Sequence, residues 1–149
     1  MLGTGEIVGR IFFALLFGGF IGLEREMKKS RGAGLRTHIL VCIGSTLIML
    51  TSLYVFDIYK DIANFDPGRL AAAVITGVGF LCAGTIIRQG DSVAGLTTAA
   101  SLWISAAIGL AIGCGFYQGA CIATALVLLT LLVLRRFETK LERARKGGQ

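Results

Sequence analysis

The stretch GLEREMKKSRGAGLRTH, Gly22 to His38, places eight ionisable side chains in seventeen residues, between two blocks that are almost wholly apolar. A charge run this dense between hydrophobic blocks reads as a turn at a membrane surface. The rest of the chain follows the same plan, with further charge clusters at 57–69 and 135–146 and long apolar intervals between them. With 149 residues, 54% of them hydrophobic and only 16% charged, the chain has too little polar side chain to coat a soluble globule. It reads as an all-α polytopic integral membrane protein.

A membrane span takes about 20 mainly apolar residues. Five blocks qualify, at about 7–23, 37–56, 70–87, 96–113 and 117–134, which form one transmembrane domain over 1–134 with a basic tail at 135–149. Five spans put the two termini on opposite sides. Twelve Lys and Arg then share one side, in the first turn, at Arg88 and in the tail, against three on the other, Arg10, Lys60 and Arg69. The positive-inside rule gives the richer side to the cytoplasm, so the N-terminus lies outside and the C-terminus inside. The first apolar block is expected to stay as a helix, because MLGTGEIVGR has no basic cluster and no small-residue cleavage site precedes Glu24.

The net charge of +6 belongs, on this reading, to the inner face of the membrane and implies no nucleic acid. Lys and Arg there attract anionic lipid at about 1 kcal/mol each. The tail RRFETKLERARK reads as an amphipathic helix along that surface. Four cysteines, Cys42, Cys82, Cys114 and Cys121, have no spacing that suits zinc or a disulfide framework, and act as small hydrophobes.

Lipid gives helices no hydrophobic reason to associate, so small residues that let backbones approach mark the contacts. Ser101, Ser105, Gly109 and Gly113 repeat at every fourth position in helix four; helix three carries Gly77, Gly79 and Gly84, and helix one Gly18 and Gly22. The expected core is helices one, three and four, with bulky helix five facing lipid. The ridge on helix four also points to self-association, a homodimer in its simplest form. The glycines of GVGFLCAG allow a second reading, in which helix three bends or turns carbonyls towards a passing ion. No charge falls at mid-membrane; Arg10 is expected to snorkel to the outer surface with Glu6 as its partner.

At the helix ends, Glu24, Arg25, Glu26 and Arg36 form either a salt network fixing helix one to helix two or a working site, and Thr37 is placed to cap helix two. His38 has no metal-ligating company in sequence, and an imidazole there titrates near neutrality. Asp57, Asp61 and Asp66 offer oxygen ligands to a hard cation, although Asp66 before Pro67 also starts a helix. Thr97 and Thr98 serve as caps of helix four or as hydroxyl contacts to helix two. No nucleophile and base pair, phosphate loop or paired buried acids is found, so neither an enzyme nor a cofactor is implied.

The blocks GGFIGLERE, AGLRTHILVCIGS, DPGRLAAAVITGVGFLCAGTI and VAGLTTAASLWISAAIGLAIGCGFY, in this order over roughly residues 15–117, resemble the MgtC/SapB family of bacterial inner-membrane proteins. The resemblance implies a five-helix membrane domain and a role in growth at low magnesium, in acid resistance and in survival of pathogens in host compartments. The chain is similar to the short, YhiD-like form without a C-terminal cytoplasmic domain. Family motif positions fall on Glu24, Arg25, Glu26, Arg36, Thr37, His38, Asp66, Pro67, Arg69, Thr97 and Thr98. Cys82 stands where the family usually has glycine, which relaxes one close helix contact. The implied function is that of a non-enzymatic protein working through membrane protein partners under low magnesium or acid stress. The alternative is a divalent-cation channel or transporter that collects ions at the outer aspartates.

Overall fold

The computed structural model describes residues 2–27, 32–62 and 64–146, by backbone alone from 135 onward. Lys28, Lys29, Arg31 and the side chains of the basic tail therefore lie outside the described residues. Five helices are long and apolar enough to cross a membrane: α1 Thr4–Met27, α2 Leu35–Tyr59, α3 Gly68–Thr85, α4 Leu96–Gly113 and α5 Tyr117–Lys146. At 1.5 Å per residue α1 is about 36 Å long, more than the ~30 Å hydrocarbon layer. Its last turn, with Glu24 and Arg25, thus reaches the interface, where charge is tolerated.

Two strands, β1 Ile87–Gln89 and β2 Ser92–Ala94, make a small antiparallel hairpin between α3 and α4, with Ile87 opposite Ala94 and Gln89 opposite Ser92. Helix three was expected to run to Ile87; it ends at Thr85 because the next residues enter this hairpin. The loop is Gly90–Asp91, with Gly90 at φ +60°, as a two-residue hairpin requires. Gly95 then turns the chain into α4 at φ +91°. A Cβ there would lie 1.9 Å from the Thr85 carbonyl oxygen, so only glycine fits between the end of α3 and the start of α4.

The closest packing joins α1, α2 and α4, with α2 in the middle. A Cβ on Gly18 or Gly22 of α1 would come within 2.9 Å of the His38 carbonyl oxygen or 2.8 Å of Leu35 Cα on α2. On the opposite side, a Cβ on Gly109 or Gly113 of α4 would meet the Cys42 carbonyl oxygen at 2.3 Å or Met49 Cβ at 2.6 Å. Each glycine pair is a groove one turn apart, and α2 is the ridge seated in both. Thr46 donates to the Gly109 carbonyl at 2.7 Å, a contact that the missing side chain of Gly109 leaves open. Ser101 and Ser105 are also buried: Ser105 donates to the Ser101 carbonyl at 2.8 Å, and the Ser101 hydroxyl oxygen lies 2.8 Å from the Thr98 carbonyl.

The expected core of helices one, three and four is corrected accordingly, because α2 takes the place assigned to α3. The α3 glycines do not pack within the chain: a Cβ on Gly77, Gly79 or Gly84 would meet nothing within 4 Å. α3 instead applies Val74, Val78 and Cys82 to α4, with the Cys82 thiol donating to the Ala99 carbonyl at 3.1 Å. The ridge on α4 is likewise taken up inside the chain by α2, so it offers no surface for a second copy.

Arg10 takes Glu6 as its partner, as expected, but does not reach out to the surface. It is buried, donates through Nη1 to the Gly113 carbonyl at the end of α4, and pairs through Nη2 with Glu6. Gly115, at φ +86°, leaves the room, since a Cβ there would lie 3.2 Å from the guanidinium. The cation thus sits at the negative end of the α4 dipole and supplies a donor for a terminal carbonyl. Arg10→Met is expected to cost about 2 kcal/mol, read as a lowered thermal midpoint in detergent, while Arg10→Lys recovers part of it.

Candidate functional site

Where α1 ends and α2 and α4 begin, four polar side chains are buried together, Arg25, His38, Thr98 and Ser101, with exposures of 7%, 0%, 2% and 3%; Glu24, at 3%, is buried on the same last turn of α1. Local structure explains their convergence. Gly22 lets α1 touch α2 at Leu35, and Gly95 forces α4 to start beside the end of α3. The three helix ends therefore crowd one spot at the membrane boundary, where buried polar groups need partners.

Those partners form a continuous chain. Arg25 Nη2 donates to Thr98 Oγ1 at 2.8 Å, and Ser101 Oγ lies 2.8 Å from the Thr98 carbonyl and 3.0 Å from His38 Nε2. His38 Nδ1 reaches the Gly34 carbonyl at 2.8 Å. A carbonyl only accepts, so Nδ1 carries a proton. Ser101 has a single hydroxyl proton with two possible acceptors. In neutral His38 it goes to Nε2; if Nε2 gains a proton, the ring donates to Ser101 and the serine proton turns to the Thr98 carbonyl. The chain can thus accept a proton without any heavy atom moving.

A cavity of about 410 Å³ opens beside this chain, lined by Arg25, Thr85, Gln89, Thr97 and Thr98 together with β2 and Gly95. It holds one cation and several hydroxyls, so its chemistry is that of a polar recess. Among the described residues no group of three His, Cys, Asp or Glu is placed to hold a metal ion.

Of the residues singled out in the sequence, Arg25, His38 and Thr98 come together here, Thr97 lines the cavity, and Glu24 is buried on the adjoining turn of α1. Thr98 bonds to α1 through Arg25 and is linked to His38 of α2 by way of Ser101; it does not cap α4, whose N-cap is Gly95 without a side-chain bond. Glu26 rather than Thr37 serves the start of α2, accepting from the Leu35 N–H at 3.1 Å, because α2 begins two residues earlier than expected. Among the described residues no ion pair is seen between Arg36 and Glu26, and Arg36 and Thr37 line a groove between α2 and α3. Asp66 and Arg69 are at the opposite end of the bundle. Asp66 accepts from the Gly68 N–H at 2.8 Å and starts α3, while Asp57 pairs with Lys60 at 3.1 Å; Asp57, Asp61 and Asp66 do not form a cluster that could hold a metal ion. Ser101 and the Gly34 carbonyl are the partners that sequence did not single out for this site. A serine one turn after Thr97 and Thr98 on the same helix face was the available signal.

The sequence profile of the MgtC family matches residues 11–140. The chain belongs to the MgtC family. It is 44% identical over 140 residues to YhiD of Escherichia coli K12, provisionally named a magnesium transporter, a match covering 93% of this chain and 65% of that one. An uncharacterised Haemophilus influenzae protein is 38% identical over 147 residues, with 93% and 61% covered. MgtC of Salmonella typhimurium LT2 is 43% identical over 122 residues, with 82% and 49% covered. The chain thus spans about half to two thirds of the length of these MgtC-family relatives. No solved structure matches it. As an MgtC-family protein with five apolar helices, it is a multi-pass protein of the bacterial inner membrane.

Proposed function

We propose that this MgtC-family protein is not an enzyme and acts by binding other membrane proteins, in the adaptation of the cell to low magnesium or acid stress. The observation that carries this reading is the filled interior of the bundle. Ile21, Cys42, Ile108 and Ile112 are completely or almost completely buried in a cluster of α1, α2, α4 and α5, Leu102 is equally buried with Val74, Val78 and Cys82 of α3, and backbone-level glycine contacts close both sides of α2. A second observation supports a partner. Ala72, Thr76, Gly79 and Ala83 repeat along one face of α3 and are all exposed, the kind of small-residue face on which another helix, from a second copy or a different protein, packs closely. The excess of Lys and Arg supports an orientation with the Arg25, Arg36 and Arg88 end in the cytoplasm.

The rival reading, a magnesium conduit, is supported by the name given to YhiD of Escherichia coli K12. The two separate in a reconstituted system. Purified protein in liposomes is expected to carry no magnesium or proton flux above that of empty vesicles, with dye-loaded vesicles as the readout. Flux that disappears on jointly replacing Asp57, Asp61 and Asp66 by Asn would establish the conduit instead.

A further inference from the structure

Between α2 and α3 runs a groove of about 810 Å³ that opens to the side of the bundle. Its walls are Leu40, Val41, Gly44 and Ile48 on one helix and Val74, Gly77, Val78 and Leu81 on the other. It exists because both helices carry glycine there: a Cβ on Gly44 or Gly77 would meet nothing within 4 Å. The polar lining is confined to the buried Ser45 and to one mouth, where Arg36 and Thr37 stand. Arg36 is exposed and has no hydrogen bond or ion pair among the described residues.

From Arg36 to Ile48 the groove follows α2 for about 18 Å, and on α3 it runs from Leu81 to Leu70 near the start of that helix. An apolar slot of this length, with Arg36 as the one charged residue among its described lining, complements an anionic phospholipid in shape and charge. We propose that this groove is a binding site for one anionic phospholipid, its hydrocarbon against Val41, Gly44 and Gly77 and its phosphate on the Arg36 guanidinium. Arg36 shares the end of the bundle with Arg25 and Arg88, so under the orientation proposed above the lipid comes from the inner leaflet, which is rich in anionic headgroups. Arg suits the headgroup because its planar fork pairs with two phosphate oxygens at once. The site is distinct from the α3 face bearing Thr76 and Gly79, and the inference holds whether or not the protein transports ions.

The test is native mass spectrometry of the detergent-solubilised chain titrated with phosphatidylglycerol and with phosphatidylethanolamine of equal chain length. The expected result is one phosphatidylglycerol retained in preference to phosphatidylethanolamine. Arg36→Gln should reduce that preference by roughly five- to tenfold. Gly77→Leu, whose side chain enters open space in the groove, should abolish retention of both, whereas Gly79→Leu, on the neighbouring face, should leave it intact. Equal binding of the two lipids by the unmodified chain, or retention unchanged in both Arg36→Gln and Gly77→Leu, would overturn the proposal. So would a dimer that loses its partner on Gly77→Leu, since the groove would then belong to a second copy.

Discussion

Gly109→Ala is expected to lower the stability of the solubilised protein by roughly 3 kcal/mol, while Gly77→Ala changes it by no more than about 1 kcal/mol. Both glycines lie in the middle of apolar helices, and hydropathy does not distinguish them. Their surroundings do. A Cβ on Gly109 would sit 2.3 Å from the Cys42 carbonyl oxygen and 2.9 Å from Ser45 Cβ, so one methyl group must push α2 and α4 apart and stretch the Thr46 hydrogen bond. The obstacle is backbone, which has no rotamer to yield. At Gly77 the space is open, and alanine even gains helix propensity. Thermal melts of both variants in one detergent give the comparison. Equal loss in the two would mean that α2 is not seated against α4.

His38→Ala carries the second large effect, a loss of about 3 kcal/mol. It removes a fully buried ring, leaves a void, and takes away the Ser101 and Gly34 partners that tie α2 to α4 and to its own first turn. Ser101→Ala alone should cost about 1 kcal/mol, and the double variant less than the sum, because the two side chains share a hydrogen bond. The geometry also fixes a spectroscopic signature. Neutral His38 has its proton on Nδ1, so ¹⁵N imidazole spectra should show Nδ1 as the protonated nitrogen and Nε2 as the bare one. A proton on Nε2 alone would contradict the bond to the Gly34 carbonyl.

The five spans were legible because charge is excluded from the intervals between clusters, and the starts of α4 at Leu96 and α5 at Tyr117 agree with the expected boundaries. The identity of the core was not. Small residues announce a groove, so Gly18, Gly22, Gly109 and Gly113 were visible, but the ridge that fills a groove needs no particular residue, and α2 presents His38, Cys42, Ser45 and Met49 there. The glycines of α3 carry the same signature as those of α4, and sequence alone cannot tell a groove filled within the chain from one left open. Arg10 misled for a related reason. Its usual escape to the surface is set aside by a free carbonyl at Gly113 and by the space over Gly115, both of them features of the turn between α4 and α5. Of the candidate site, the separate residues were legible and their meeting was not, since Arg25 and Thr98 lie 73 positions apart.

Cys42 lies where α1, α2 and α4 meet, and is completely buried, whereas Cys114 is exposed in the turn between α4 and α5. A charged, membrane-impermeant methanethiosulfonate therefore reads directly whether water enters between these helices. Mass spectrometry of the labelled protein in sealed vesicles and in detergent should find Cys114 modified and Cys42 intact. Modification of Cys42 at a rate comparable to that of Cys114, in protein that remains folded, would mean an aqueous path through the bundle and would contradict the closed core.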